Sequence, residues 1–85
     1  MKALRYEKVG DISSKYSFLE VYFDNRDELF MEIGITDNKE LCFKIYPAKS
    51  SIELTVENWA DILKTAKAFL LEAIKDEEDF DSFMK

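Results

Sequence analysis

The side chains that could do chemistry are few and scattered. No histidine occurs, which removes the commonest general base and metal ligand. The single cysteine, Cys42, has no histidine to activate it and stands beside Lys44 in an alternating stretch. It reads as a bystander thiol, not a nucleophile. Gly10 and Gly34 stand alone, so no glycine-rich phosphate loop is present. Ser13, Ser14, Ser50 and Ser51 fall in turn-like stretches, where a hydroxyl routinely bonds nearby backbone. Carboxylates are plentiful, yet none stands out as an acid–base pair. The run Asp76-Glu77-Glu78-Asp79-Phe80-Asp81 could attract a hard cation, but it lacks the loop glycine and closing glutamate of an EF-hand. The expectation is a protein with no catalytic residue, no metal site and no cofactor.

Binding chemistry remains, in two places. Acids near a helix C-terminus oppose its dipole by about 0.3–1 kcal/mol each where exposed, so the acidic run does not serve the helix. A solvated, solubilising end is its plain reading. Phe80, Phe83 and Met84 are interleaved with those acids, however, and charge carrying aromatic anchors suits docking on a basic protein surface. Asp76, Glu77, Glu78, Asp79, Phe80, Asp81 and Phe83 are therefore candidate partner-binding residues. The second place is a sheet face bearing Tyr16, Phe18, Tyr22, Phe30 and Tyr46, with Glu20, Glu32 and Lys44 among them. Large β-formers stabilise strands by cross-strand pairing even when half exposed. The same set could equally form a contact surface or a platform for stacking bases.

The elements that must position these residues follow from periodicity. Residues 16–23, 28–35 and 40–46 alternate with a period of two, and 4–9 do so more weakly, as an edge strand with charge on both faces. Asp24-Asn25-Arg26-Asp27 and Thr36-Asp37-Asn38-Lys39 are turn-forming links of hairpin length. Leu19, Val21, Phe23, Leu29, Met31, Ile33, Ile35, Leu41, Phe43 and Ile45 make one uniformly apolar face. A brief further strand is expected at Ile52–Leu54. Thr55 then caps a helix, with Glu57 and Asp61 in its first turns. Val56, Trp59, Leu63, Ala66, Leu70, Ala73 and Ile74 share one arc, widened by Ile62 and Phe69 on one side and by Ala60 and Leu71 on the other. The whole arc covers roughly 200°, about twice what packing on one sheet needs. Trp59, Leu63 and Leu70 are expected between helix and sheet. Beyond Lys75 the pattern would drive Glu77, Glu78 and Asp81 onto the buried arc, so the sheet-packed helix is expected to end near Lys75 or leave the sheet there. The predicted fold is α+β: an antiparallel meander of four to five strands within residues 4–54, packed on one long C-terminal helix of about 56–75, with an acidic, aromatic tail at 76–85.

The 85 residues suit a single domain, and 47% hydrophobic with 35% charged residues is ordinary for a globular protein. The net charge of −6 is concentrated late in the chain. Clustered lysines and arginines for phosphate are missing, which argues against nucleic acid. The longest apolar run, Ala68–Leu71, is too short to span a bilayer. The opening Met-Lys-Ala-Leu-Arg-Tyr-Glu lacks a signal peptide's apolar core, and a lone cysteine fits a reducing compartment. A cytoplasmic location is expected. The wide helix arc and the aromatic sheet face together predict a homodimer, through either Tyr22, Phe30 and Tyr46 or the Ile62/Phe69 flank.

Ile52-Glu-Leu-Thr-Val-Glu-Asn-Trp59, following a strand meander, resembles the sheet-to-helix junction of positive-cofactor-four type transcriptional coactivators. That resemblance implies a curved four-stranded sheet followed by a helix, and dimers that bind single-stranded DNA. The strands of that family are rich in basic residues, and these strands are not. In size, charge and absent chemistry the chain is similar to the small acidic immunity proteins of bacterial toxin systems. This second resemblance implies a cofactor-free inhibitor that binds a cognate toxin. The expected function is thus an acidic, inhibitor- or immunity-type module for a basic protein. The alternative is a dimeric single-stranded nucleic-acid binder using the aromatic sheet face.

Overall fold

The computed structural model describes residues 3–10, 15–24, 28–48 and 50–84, with 79–84 as helix backbone only. Four strands, β1 (Leu4–Val9), β2 (Phe18–Phe23), β3 (Leu29–Ile35) and β4 (Leu41–Ile45), precede one helix, α1 (Val56–Met84). The strands pair antiparallel in the order β1-β2-β3-β4, each beside its neighbour in sequence. The α+β meander with a single C-terminal helix is therefore the fold. Residues 52–54 form no strand. Ile52 and Leu54 instead pack their side chains against the core.

The β3–β4 turn shows how local chemistry sets the register. Lys39 N–H donates to the Thr36 carbonyl at 2.9 Å, and Thr36 N–H donates to the Glu40 carbonyl at 2.8 Å. The Thr36 hydroxyl accepts from Glu40 N–H at 3.1 Å. Closing the turn places Lys39 at φ 65°, in the left-handed region that favours glycine or asparagine.

A register shift between Val21 and Tyr22 alters the face assignment of β3. Val21 pairs with Met31, but Tyr22 pairs with Leu29, so Phe30 is one extra residue on β3. The bulge turns two consecutive side chains inward, and Phe30 and Met31 are both fully buried. Phe30 stacks on Phe23 with ring centroids 4.5 Å apart. Strict alternation had placed Phe30 on the uncovered face and Leu29 in the core. The bulge moves Phe30 into the core and pairs Leu29, half-buried, with Tyr22 of the outer face.

The helix meets the sheet through Ile62, Ala66 and Phe69, which close the core over Leu19, Val21, Phe23, Phe30, Met31 and Ile33. This stripe lies roughly 70° around the helix from the expected centre at Trp59, Leu63 and Leu70, counting 100° per residue. Trp59 is 42% exposed and Leu63 45%. Both expected burials are corrected, and Ile62 and Phe69 are core instead of a contact flank.

Polar contacts along β1 set this rotation. Tyr6 donates to Asp61 at 2.6 Å, and Lys8 pairs with Glu72 at 3.3 Å. At the helix start Asn58, also buried, faces the sheet side. Asn58 N–H donates to the Thr55 hydroxyl at 3.0 Å while Thr55 N–H donates to Asn58 Oδ1 at 3.1 Å, a reciprocal capping box. Thr55 caps the helix as expected.

The helix does not stop near Lys75. It runs 29 residues to Met84, about 43 Å at 1.5 Å per residue, along a molecule 49 Å in its longest extent. Strands of five to seven residues reach only ~17–24 Å. The helix therefore outruns its sheet.

Candidate partner-binding surfaces

The acidic run belongs to α1, and its first residues still touch the sheet layer. Tyr16 donates to Glu77 at 2.5 Å, and Lys15 Nζ lies 3.0 Å from the other Glu77 oxygen. A phenol and an ammonium thus meet the carboxylate that the arc was expected to exclude, and this is why the helix can pass Lys75. The Tyr16 and Lys15 hydrogen bonds hold the Glu77 carboxyl below the usual glutamate range. The same contacts push the Tyr16 phenol and the Lys15 ammonium up. Glu77 is therefore a tether to the segment that leads into β2, and Tyr16, buried beneath α1, does not belong to the uncovered face. Asp76 and Glu78 are exposed. The side chains of Asp79, Phe80, Asp81 and Phe83 lie outside the described residues, as part of a backbone that remains helical.

A hollow of about 420 Å³ opens beside this tether, between Lys8, Lys15 and Tyr16 on one side and Phe69, Ala73 and Asp76 on the other. Its lysines face carboxylates, and no nucleophile–base pair lines it. Among the described residues no cluster of three His, Cys, Asp or Glu could hold a metal ion, and no helix is long and apolar enough to cross a membrane.

The outer face of the sheet carries the second set. Cross-strand register aligns Glu7, Glu20 and Glu32 directly beside one another, with Lys44 ending the row on β4. Like charges so placed are destabilising, at roughly 0.2–1 kcal/mol per pair, unless neighbours offset them. Tyr22 donates to Glu20 at 2.8 Å and Tyr46 to Glu32 at 3.1 Å. Arg5 pairs with Glu7 at 3.2 Å, and Lys44 with Glu32 at 3.4 Å. Arg5 also stacks 4.5 Å over the Tyr22 ring. Hydrogen bonding to Glu20 raises the Tyr22 pKa, and burial followed by bonding to Glu32 raises that of Tyr46. Phe18, Tyr22 and Tyr46, each half-buried, remain from the expected aromatic set, as acceptor-rich ground in place of a bare stacking platform.

A third surface was not singled out from the sequence. With Asp61 and Glu72 turned to β1, helical period sends Trp59 and Leu63 to the opposite flank, toward β4. There Phe43 is 36% exposed and Ile45 63%. Periodicity correctly put Phe43 and Ile45 on the helix side of the sheet, but a single helix leaves this part of β4 exposed. The sequence signal for this surface was the excess width of the apolar arc. Comparison with protein-family models, curated proteins and solved structures finds no match to this chain.

Proposed function

We propose that this chain is a non-enzymatic protein-binding module, an acidic inhibitor- or immunity-type domain that engages a basic protein. The observation that carries the reading is the overrun of α1 past its sheet. The acidic run is held out as a continuous helix, tethered through Glu77. A rigid acidic rod loses less conformational entropy on docking than a loose tail would. Its charge steers encounter with a basic surface. The carboxylate row on the outer sheet face would repel phosphates, which weighs against the nucleic-acid alternative. Calorimetric titration against the products of the flanking genes, at low and at moderate salt, tests the reading. A basic binder whose affinity falls with salt is expected. Binding of single-stranded DNA in its place would overturn it.

A further inference from the structure

We propose that two copies of this chain join edge to edge through β4, antiparallel about a two-fold axis centred on Cys42. The backbone fixes which groups are on offer. The Glu40 carbonyl accepts from Thr36 and Tyr46 N–H donates to the Phe30 carbonyl, so the even-numbered residues of this segment turn their polar backbone toward β3. By antiparallel alternation Leu41, Phe43 and Ile45 turn theirs outward, along the open edge. The two edges of the sheet differ. β1 presents Arg5, Glu7 and Lys8 along its length, the charged protection usual for an edge, whereas β4 carries Lys44 alone between Leu41 and Ile45.

Charge complementarity selects the register and the occupant. Centring on Cys42 sets Glu40 opposite Lys44 of the second copy, and Lys44 opposite its Glu40. Both ion pairs lie on the outer face. The Lys44 ammonium already meets Glu32 at 3.4 Å and, with three donors, can serve a second carboxylate. On the helix side the same register sets Leu41 against Phe43 twice. A register centred on Phe43 would leave Glu40 against Tyr46 and Lys44 against Cys42, with no ion pair. The join also lies next to the exposed Phe43 and Ile45 and the Trp59–Leu63 flank, so the apolar surfaces of both copies border the same seam.

The single cysteine reports the register directly. Cys42 would face its copy as a non-hydrogen-bonded pair, with Cα atoms about 4.5 Å apart, inside the span a disulfide bridges. Light scattering at high micromolar concentration should give twice the 10.0 kDa chain mass. Diamide, which oxidises two thiols to a disulfide, should convert that species to a covalent dimer. Lys44→Glu or Glu40→Lys alone should weaken dimerisation at least tenfold. The exchange of both charges in one chain should restore it, although the contact of residue 44 with Glu32 stays lost. Circular dichroism and melting confirm that each variant folds. A monomer at high concentration, a dimer that diamide cannot lock, or a charge exchange without rescue would each overturn the proposal.

Discussion

At the residue scale, two polar groups pin the helix at its start and toward its far end. Asn58 is almost fully buried in a reciprocal cap with Thr55. Asn58→Ala removes the Oδ1 that accepts from Thr55 N–H while the backbone half of the cap stays, and a loss of about 1–2 kcal/mol is expected in denaturant unfolding. Glu77 supplies a pH signature. Its carboxyl is held below the ordinary range by Tyr16 and then Lys15. The stability it contributes is complete above the unfolded-state pKa and is lost as pH falls through the depressed folded value. Wild type should therefore melt at a higher temperature than Glu77→Gln at neutral pH. The two curves should converge on the acid side of the glutamate range. Curves that stay parallel through and below that range would show that Glu77 does not bear the charge ascribed to it.

At the element scale, the period of two made all four strands legible, and β1 holds at residues 4–9. The Thr55 cap and the α+β order were legible too, because each rests on local pattern. Phe30 was not: a bulge is a mismatch between two strands, and neither strand alone records it. Helix rotation was hidden for a similar reason. An arc of roughly 200° accepts many 100° stripes, and the choice among them rests on Tyr6–Asp61 and Lys8–Glu72, more than fifty residues apart in sequence. Adjacent truncations test the rotation. Ile62→Ala should cost ~2–5 kcal/mol, as for other fully buried aliphatic side chains, while Leu63→Ala should cost well under half as much. The reverse order in chemical denaturation would return the buried stripe to Trp59 and Leu63. The β3–β4 turn offers a gain: Lys39→Gly relieves a left-handed residue and should raise stability by about 1 kcal/mol, read as a higher melting temperature.

At the scale of the whole molecule, a short sheet carries a helix longer than itself. The sequence located the acidic end but gave no reason for it to stay helical, since its acids oppose the dipole. The tether at Glu77 supplies part of that reason. Beyond Glu78 the helix extends past what the strands can cover, and that projecting end is where we propose that binding occurs. The most direct measurement removes residues 79–85, leaving the Glu77 tether in place, and follows both thermal melting and affinity for the basic partner found among the flanking-gene products. A melting temperature close to that of the full chain, with affinity weakened at least tenfold and its salt dependence flattened, is the predicted result. Undiminished affinity in a folded, truncated chain would contradict the assignment of binding to the acidic helix end.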